Sequence, residues 1–228
     1  PREIPGARRE FGLGHDHRAG FHPVRQRVGV APALLLADPV GGERPPADSL
    51  RDNYFSRAQM YGSVLSGGLS GHVHGTVSYD ITTTGEPEGM RPHIWDALKY
   101  ESANYMSHLA NFVLSEGDKY QKLQLASEHL HPQKAEGSPP RGLDGWSYMM
   151  RTPEKDFALL YFENEAVKPI LAGFPTDTTY IFQWYDTING KWGEAIKIKS
   201  DEKGLTIPDF PDNQNPSSRD WAAKIVKK

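Results

Sequence analysis

Apolar positions along the chain change period twice, and the changes divide it into regions. Ala33 to Ala37 is a short unbroken apolar run, the pattern of a strand buried on both faces, and it stops at the turn signals Asp38-Pro39 and Gly41-Gly42. Leu50, Tyr54, Ala58, Tyr61 and Leu65 then recur at spacings of three and four, which predicts a helix with one apolar face. Asp48 or Ser49 offers the N-cap oxygen, and Gly67-Gly68 ends the helix. Gly71 to Gly75 is short enough for one more strand, and a period of two points His72 and His74 to the same side. Strand, helix, strand in this order is a βαβ unit, whose functional groups collect beyond the carboxyl ends of its strands.

A second helical stripe runs through Ile94, Leu98, Tyr105, Leu109, Phe112 and Val113, predicting a helix within 92–115. Tyr120 to Leu130 reads as weakly amphipathic, and the Pro/Gly-rich stretch from His131 to Pro140 suits a linker. Beyond it the period becomes two. Trp146–Met150, Phe157–Phe162, Thr179–Tyr185, Glu194–Ile198 and Asp220–Val226 read as strands, with Asn189-Gly190 as a hairpin signal. The expected organisation is an irregular segment over 1–30, a barrel-like α/β region over 31–131, a linker over 132–143 and a small antiparallel β-sandwich over 144–228.

Composition narrows the chemistry. Two hundred and twenty-eight residues suffice for one large domain or two small ones. A formal net charge of −3 gives no electrostatic reason to expect nucleic acid or an anionic membrane as partner. No apolar stretch approaches the roughly 20 residues that span a bilayer. With no cysteine, disulfides, thiolate metal sites and a cysteine nucleophile are excluded. The chain begins at Pro1, which reads as a mature product or a fragment.

Candidate chemistry gathers at the predicted strand ends. Asp38 and Glu43 follow the first buried strand; His72 and His74 lie on the second. The polar loop after it carries Tyr79, and Trp95 stands near the start of the second helix as either a sugar-stacking platform or a core ring. His15-Asp16-His17 presents two imidazoles on one side but has no third ligand nearby and reads as a solvated loop. No G-x-S-x-G turn surrounds Ser63 or Ser66, and no glycine-rich phosphate loop is present.

Three segments in order, Ala37-Asp38-Pro39 with Gly42-Glu43, Arg57 to Gly68, and Gly71-His72-Val73-His74-Gly75, resemble the last barrel segments of the apiosidase-like, or DUF4038, glycoside hydrolases. Phe157–Phe162, Gln183–Trp192 and Asp220-Trp221 are similar to the putative collagen-binding sandwich that accompanies them. The resemblance implies the C-terminal portion of a (β/α)₈ TIM-type barrel, with 33–37 as its seventh strand and 69–75 as its eighth. A whole barrel takes about 250 residues, so the missing N-terminal portion or a companion chain is expected to complete it. It further implies a secreted or periplasmic bacterial enzyme that needs no cofactor and degrades a plant or algal polysaccharide. Asp38 or Glu43 would be the catalytic carboxylate, and His72, His74, Tyr79, Trp95 and Gln59 would contact the carbohydrate. Asp38 stands where the family pattern has Glu, and His74 where it has Tyr.

Two other functions fit the same residues. His72, His74 and Asp38 could hold a metal with an open water position, as in a metal-dependent hydrolase. Alternatively the sandwich is a non-catalytic carbohydrate- or protein-binding module, which requires Trp184, Tyr185 and Trp192 to be exposed.

Overall fold

The computed structural model describes residues 50–69, 100–138 and 143–228. Among the described residues two helices come first, α1 (Leu50–Leu65) and α2 (Ser102–Val113). In α1 the predicted stripe is buried at Ala58, Tyr61 and Leu65, joined by Met60 and Val64. Its end is the expected pair of glycines: Gly67 takes φ +104, a conformation that a side chain disfavours, while the Gly68 N–H returns 3.1 Å to the Ser63 carbonyl. α2 buries Tyr105, Leu109 and Phe112, at spacings of four and three. The expected strands 33–37 and 71–75, and the first part of the helix expected over 92–115, lie outside the described residues.

Ten strands follow: β1 (Gln124–Leu125), β2 (Leu130–His131), β3 (Ser147–Arg151), β4 (Phe157–Phe162), β5 (Ile170–Leu171), β6 (Thr179–Asp186), β7 (Lys191–Trp192), β8 (Ile196–Lys199), β9 (Leu205–Thr206) and β10 (Trp221–Lys227). Seven form one antiparallel sheet in the order β1-β3-β4-β10-β6-β7, with β8 pairing on β6 beside β7. The other three form a small antiparallel sheet, β2-β5-β9.

The last strand of the chain is central, between β4 and β6, with Phe157 opposite Val226 and Tyr185 opposite Ala222. Its neighbour β4, Phe-Ala-Leu-Leu-Tyr-Phe, is buried at all six positions because both faces of the sheet are covered. Ala158, Leu160 and Phe162 join Phe182, Trp184 and Ile225 in a core closed by Leu130, Leu171 and Leu205 of the small sheet. Phe157, Leu159 and Tyr161 face the other way and pack with Tyr185 and Ala222 against Tyr61, Leu65, Leu109 and Phe112 of the helices. Helices, large sheet and small sheet thus form three layers with two apolar interiors.

The pattern of period two locates every long strand to within two residues. β7 follows the expected hairpin, in which Gly190 takes φ +64 and its N–H lies 2.8 Å from the Asp186 carbonyl. Asp186 braces the turn through the amides of Ile188 and Asn189. The weak helical reading of 120–130 is overturned: Gly117–Lys122 is a 3₁₀ turn, and β1, a second 3₁₀ turn and β2 follow it. Two-residue strands are too short to carry a hydrophobic period, so the sequence gives no sign of them. Both sheets consequently begin before the stretch expected as a linker.

Candidate functional site

Of the seven residues expected to act on a ligand, Gln59 is described; Asp38, Glu43, His72, His74, Tyr79 and Trp95 lie outside the described residues. Gln59 is half-buried on α1, two positions after the buried Arg57. At about 100° per residue, the two side chains leave the helix on nearly opposite sides.

Arg57 anchors the described polar site. Its Nη2 donates to Oδ1 of Asp220 at 2.7 Å and its Nε to Oδ2 at 3.0 Å, a two-pronged pairing between the helix and the residue just before β10. Thr187, just after β6, donates to Oδ2 at 2.8 Å, and the Tyr161 hydroxyl of β4 adds a contact at 3.4 Å. The Arg57 guanidinium also lies 4.9 Å from the Tyr105 ring centre, which ties in α2. Asp220 is 0% exposed. Burial alone would lower the Arg57 pKa, but the hydrogen bonds and charge of Asp220 outweigh it and raise the pKa.

Beside this pair lies a second buried carboxylate, Glu163, also 0% exposed. It accepts from the Tyr148 hydroxyl at 2.9 Å and from the Trp146 amide at 3.2 Å. The Tyr54 hydroxyl donates to the Leu143 carbonyl and accepts from the Asn164 amide at 3.1 Å. Burial pushes the Tyr54, Tyr61 and Tyr161 hydroxyls well above the usual tyrosine range, so all three act as neutral groups. Glycoside hydrolysis requires carboxyl groups that reach both sugar and water. Asp220 and Glu163 are buried away from both; Asp220 fixes helix against sheet, and Glu163 binds the start of β3 to the end of β4.

An open groove of about 690 Å³ does meet solvent, between Glu136, Ser138, Asn164, Glu165, Ser217 and Ser218. Among the described residues its lining is largely polar and contains no stacking aromatic ring. The aromatic platform required for a binding module is not formed by the three rings expected to supply it. Trp184 and Tyr185 are buried, and the half-buried Trp192 packs 4.6 Å from Tyr185 and 5.9 Å from Phe112, with the Lys224 ammonium 4.5 Å from its ring centre. These rings alternate into the two interiors because the strand period of two sends Trp184 to one face and Tyr185 to the other. Among the described residues, no group of three or more His, Asp or Glu side chains could hold a metal ion. None of the described helices is long and apolar enough to cross a membrane.

Sequence reasoning placed Arg57 and Asp220-Trp221 in family-like motifs without joining them. No local signal could have done so, since 163 positions separate the partners.

No family model and no curated protein matches the chain. Solved structures do. A glycoside hydrolase family 5 protein from Bacteroides vulgatus ATCC 8482 is similar over 84% of this chain, with 20% identity and a TM-score of 0.59. A second structure, described as a glycoside hydrolase, is similar over 76% of the chain, again with 20% identity and a TM-score of 0.58. The chain spans 38% and 36% of the lengths of those two proteins. The class that emerges is a glycoside hydrolase-like fold, represented here in part.

Proposed function

We propose that this chain is the closing part of a glycoside hydrolase, comprising the end of a TIM-type barrel and an accessory β-sandwich. The observation that carries this reading is the fold likeness to two glycoside hydrolases over 76% and 84% of the chain. The resemblance of the segments 37–43, 57–68 and 71–75 to apiosidase-like enzymes gives it finer content: a carbohydrate substrate drawn from plant or algal polysaccharide, and a secreted or periplasmic location.

In this mechanism Asp38, which follows the strand expected over 33–37, is the nucleophile or the carboxylate that stabilises the transition state, and Glu43 is the alternative. A retaining reaction places the partner acid about 5 to 5.5 Å away. That acid would come from barrel segments beyond this chain. His72 and His74 hydrogen-bond sugar hydroxyls or the carboxylate; Tyr79 and Trp95 offer apolar faces to sugar rings; Gln59 contributes a hydrogen bond. The buried Arg57–Asp220 pair supports the arrangement, because it holds the helix that begins seven residues after Glu43.

Asp38→Asn and Glu43→Gln, each made in the complete protein, test the assignment on aryl glycosides. At least one is expected to lower kcat/KM by about 10²–10⁴-fold with the fold intact. Full activity in both variants sinks the assignment.

A further inference from the structure

We propose that Arg151, His129 and Tyr180 form a binding site for a small oxyanion at the rim of the interior between the two sheets. Arg151 ends β3 and is 8% exposed, yet it has no carboxylate ion-pair partner among the described residues. Its Nη1 donates to the Ala172 carbonyl at 2.9 Å, and its guanidinium lies 5.1 Å from the Phe174 ring centre. Those contacts hold the group in place without neutralising it. Arg57, also buried, differs in having the carboxylate of Asp220. Burial lowers the Arg151 pKa, and the exposed Glu128 carboxylate, 3.5 Å from His129 Nε2, offsets this only in part.

Two neighbours add polar groups at the same rim. Gly173 adopts φ +73, and a Cβ built on it would stand 3.0 Å from Arg151 Nη2, 3.3 Å from Nη1 and 3.4 Å from His129 Nδ1. Guanidinium and imidazole therefore converge over a backbone that carries no side chain. Tyr180 is 0% exposed and its hydroxyl has no hydrogen-bond partner. Its ring packs edge-on to Phe174 at 5.3 Å, on the residue that Arg151 covers. A buried hydroxyl left unpaired costs stability, and an acceptor entering beside Arg151 would relieve that cost together with the unbalanced charge.

A planar guanidinium, an imidazole and a phenol match the oxygens of sulfate, phosphate or carboxylate. The same group could be free or carried on an acidic sugar. Sulfate and D-glucuronate, each titrated into the full chain against sodium chloride at equal ionic strength, separate these sources. Binding is followed through the His129 imidazole resonances and the thermal midpoint. Saturable displacement of the His129 signals is expected, with a rise in Tm of about 2–4 °C near saturation. Response to sulfate alone supports a free anion, whereas tighter binding of glucuronate supports an acidic sugar.

Arg151→Gln is expected to abolish the response. Tyr180→Phe removes the unpaired hydroxyl, so it should fold at least as stably without anion and bind about five- to tenfold more weakly. No response beyond that to chloride overturns the proposal, as does a response unchanged in either variant. Should Arg151→Gln fail to fold, Tyr180→Phe decides alone.

Discussion

A guanidinium that loses its water must find hydrogen-bond partners within the protein, and Arg57 finds them on Asp220 at 2.7 and 3.0 Å. Desolvating both charges is expensive, so the pair adds little over a well-packed apolar contact as long as it is complete. Breaking it is another matter. Arg57→Met would leave the Asp220 carboxylate buried with only the Thr187 and Tyr161 hydroxyls as donors, and should cost about 3–5 kcal/mol. Urea denaturation checks this as a lowered midpoint at unchanged slope. A loss under about 1 kcal/mol would mean that water reaches the carboxylate in the variant.

At the scale of elements, the start of a strand and the start of a 3₁₀ turn show why only some positions demand glycine. Gly204, at φ +127, leads into β9, and a Cβ there would meet the Leu171 carbonyl oxygen at 2.3 Å. That oxygen belongs to the backbone of β5, which pairs with β9 through Leu171 and Leu205, so it cannot swing aside. Gly204→Ala is expected to cost at least about 2 kcal/mol and to speed hydrogen exchange at Leu205. Gly117 offers the comparison: at φ +58 its added Cβ would meet nothing within 4 Å. There Ala should cost only the backbone strain, about 1 kcal/mol. Equal losses at the two sites would show that conformation, and not the clash, decides.

For the whole molecule, the important relation is between helices and sheet. Leu159, Tyr161, Tyr185 and Ala222 form the face on which Tyr61, Leu65, Leu109 and Phe112 pack. Residues 144–228 expressed alone would bare that face and lose β1 and β2 as well. The fragment is expected to bind the dye ANS and to self-associate in sedimentation, whereas the full chain should do neither through this face. A compact fragment that leaves ANS dark would show that the sheet repacks without the helices.

Much of this protein was legible because periodic burial leaves periodic sequence. The stripe through Ala58, Tyr61 and Leu65, the run Phe157–Phe162 and the Asn189-Gly190 turn each report a local rule, and the structure contains helix, central strand and hairpin at those places. β1, β2, β5 and β9 were not legible, since two residues cannot show a period. Nor were the roles of the buried polar groups. Arg57 and Asp220 fall in family-like motifs that say nothing of their meeting, and the exposure of Trp184, Tyr185 and Trp192 that a binding module requires cannot be read from the strand pattern. Within the described residues the sequence by itself determined the long helices and strands, because backbone preference and side-chain alternation act over a few neighbouring residues. Only the tertiary structure decided which charges meet and which rings are buried, because those depend on contacts between residues far apart in the chain.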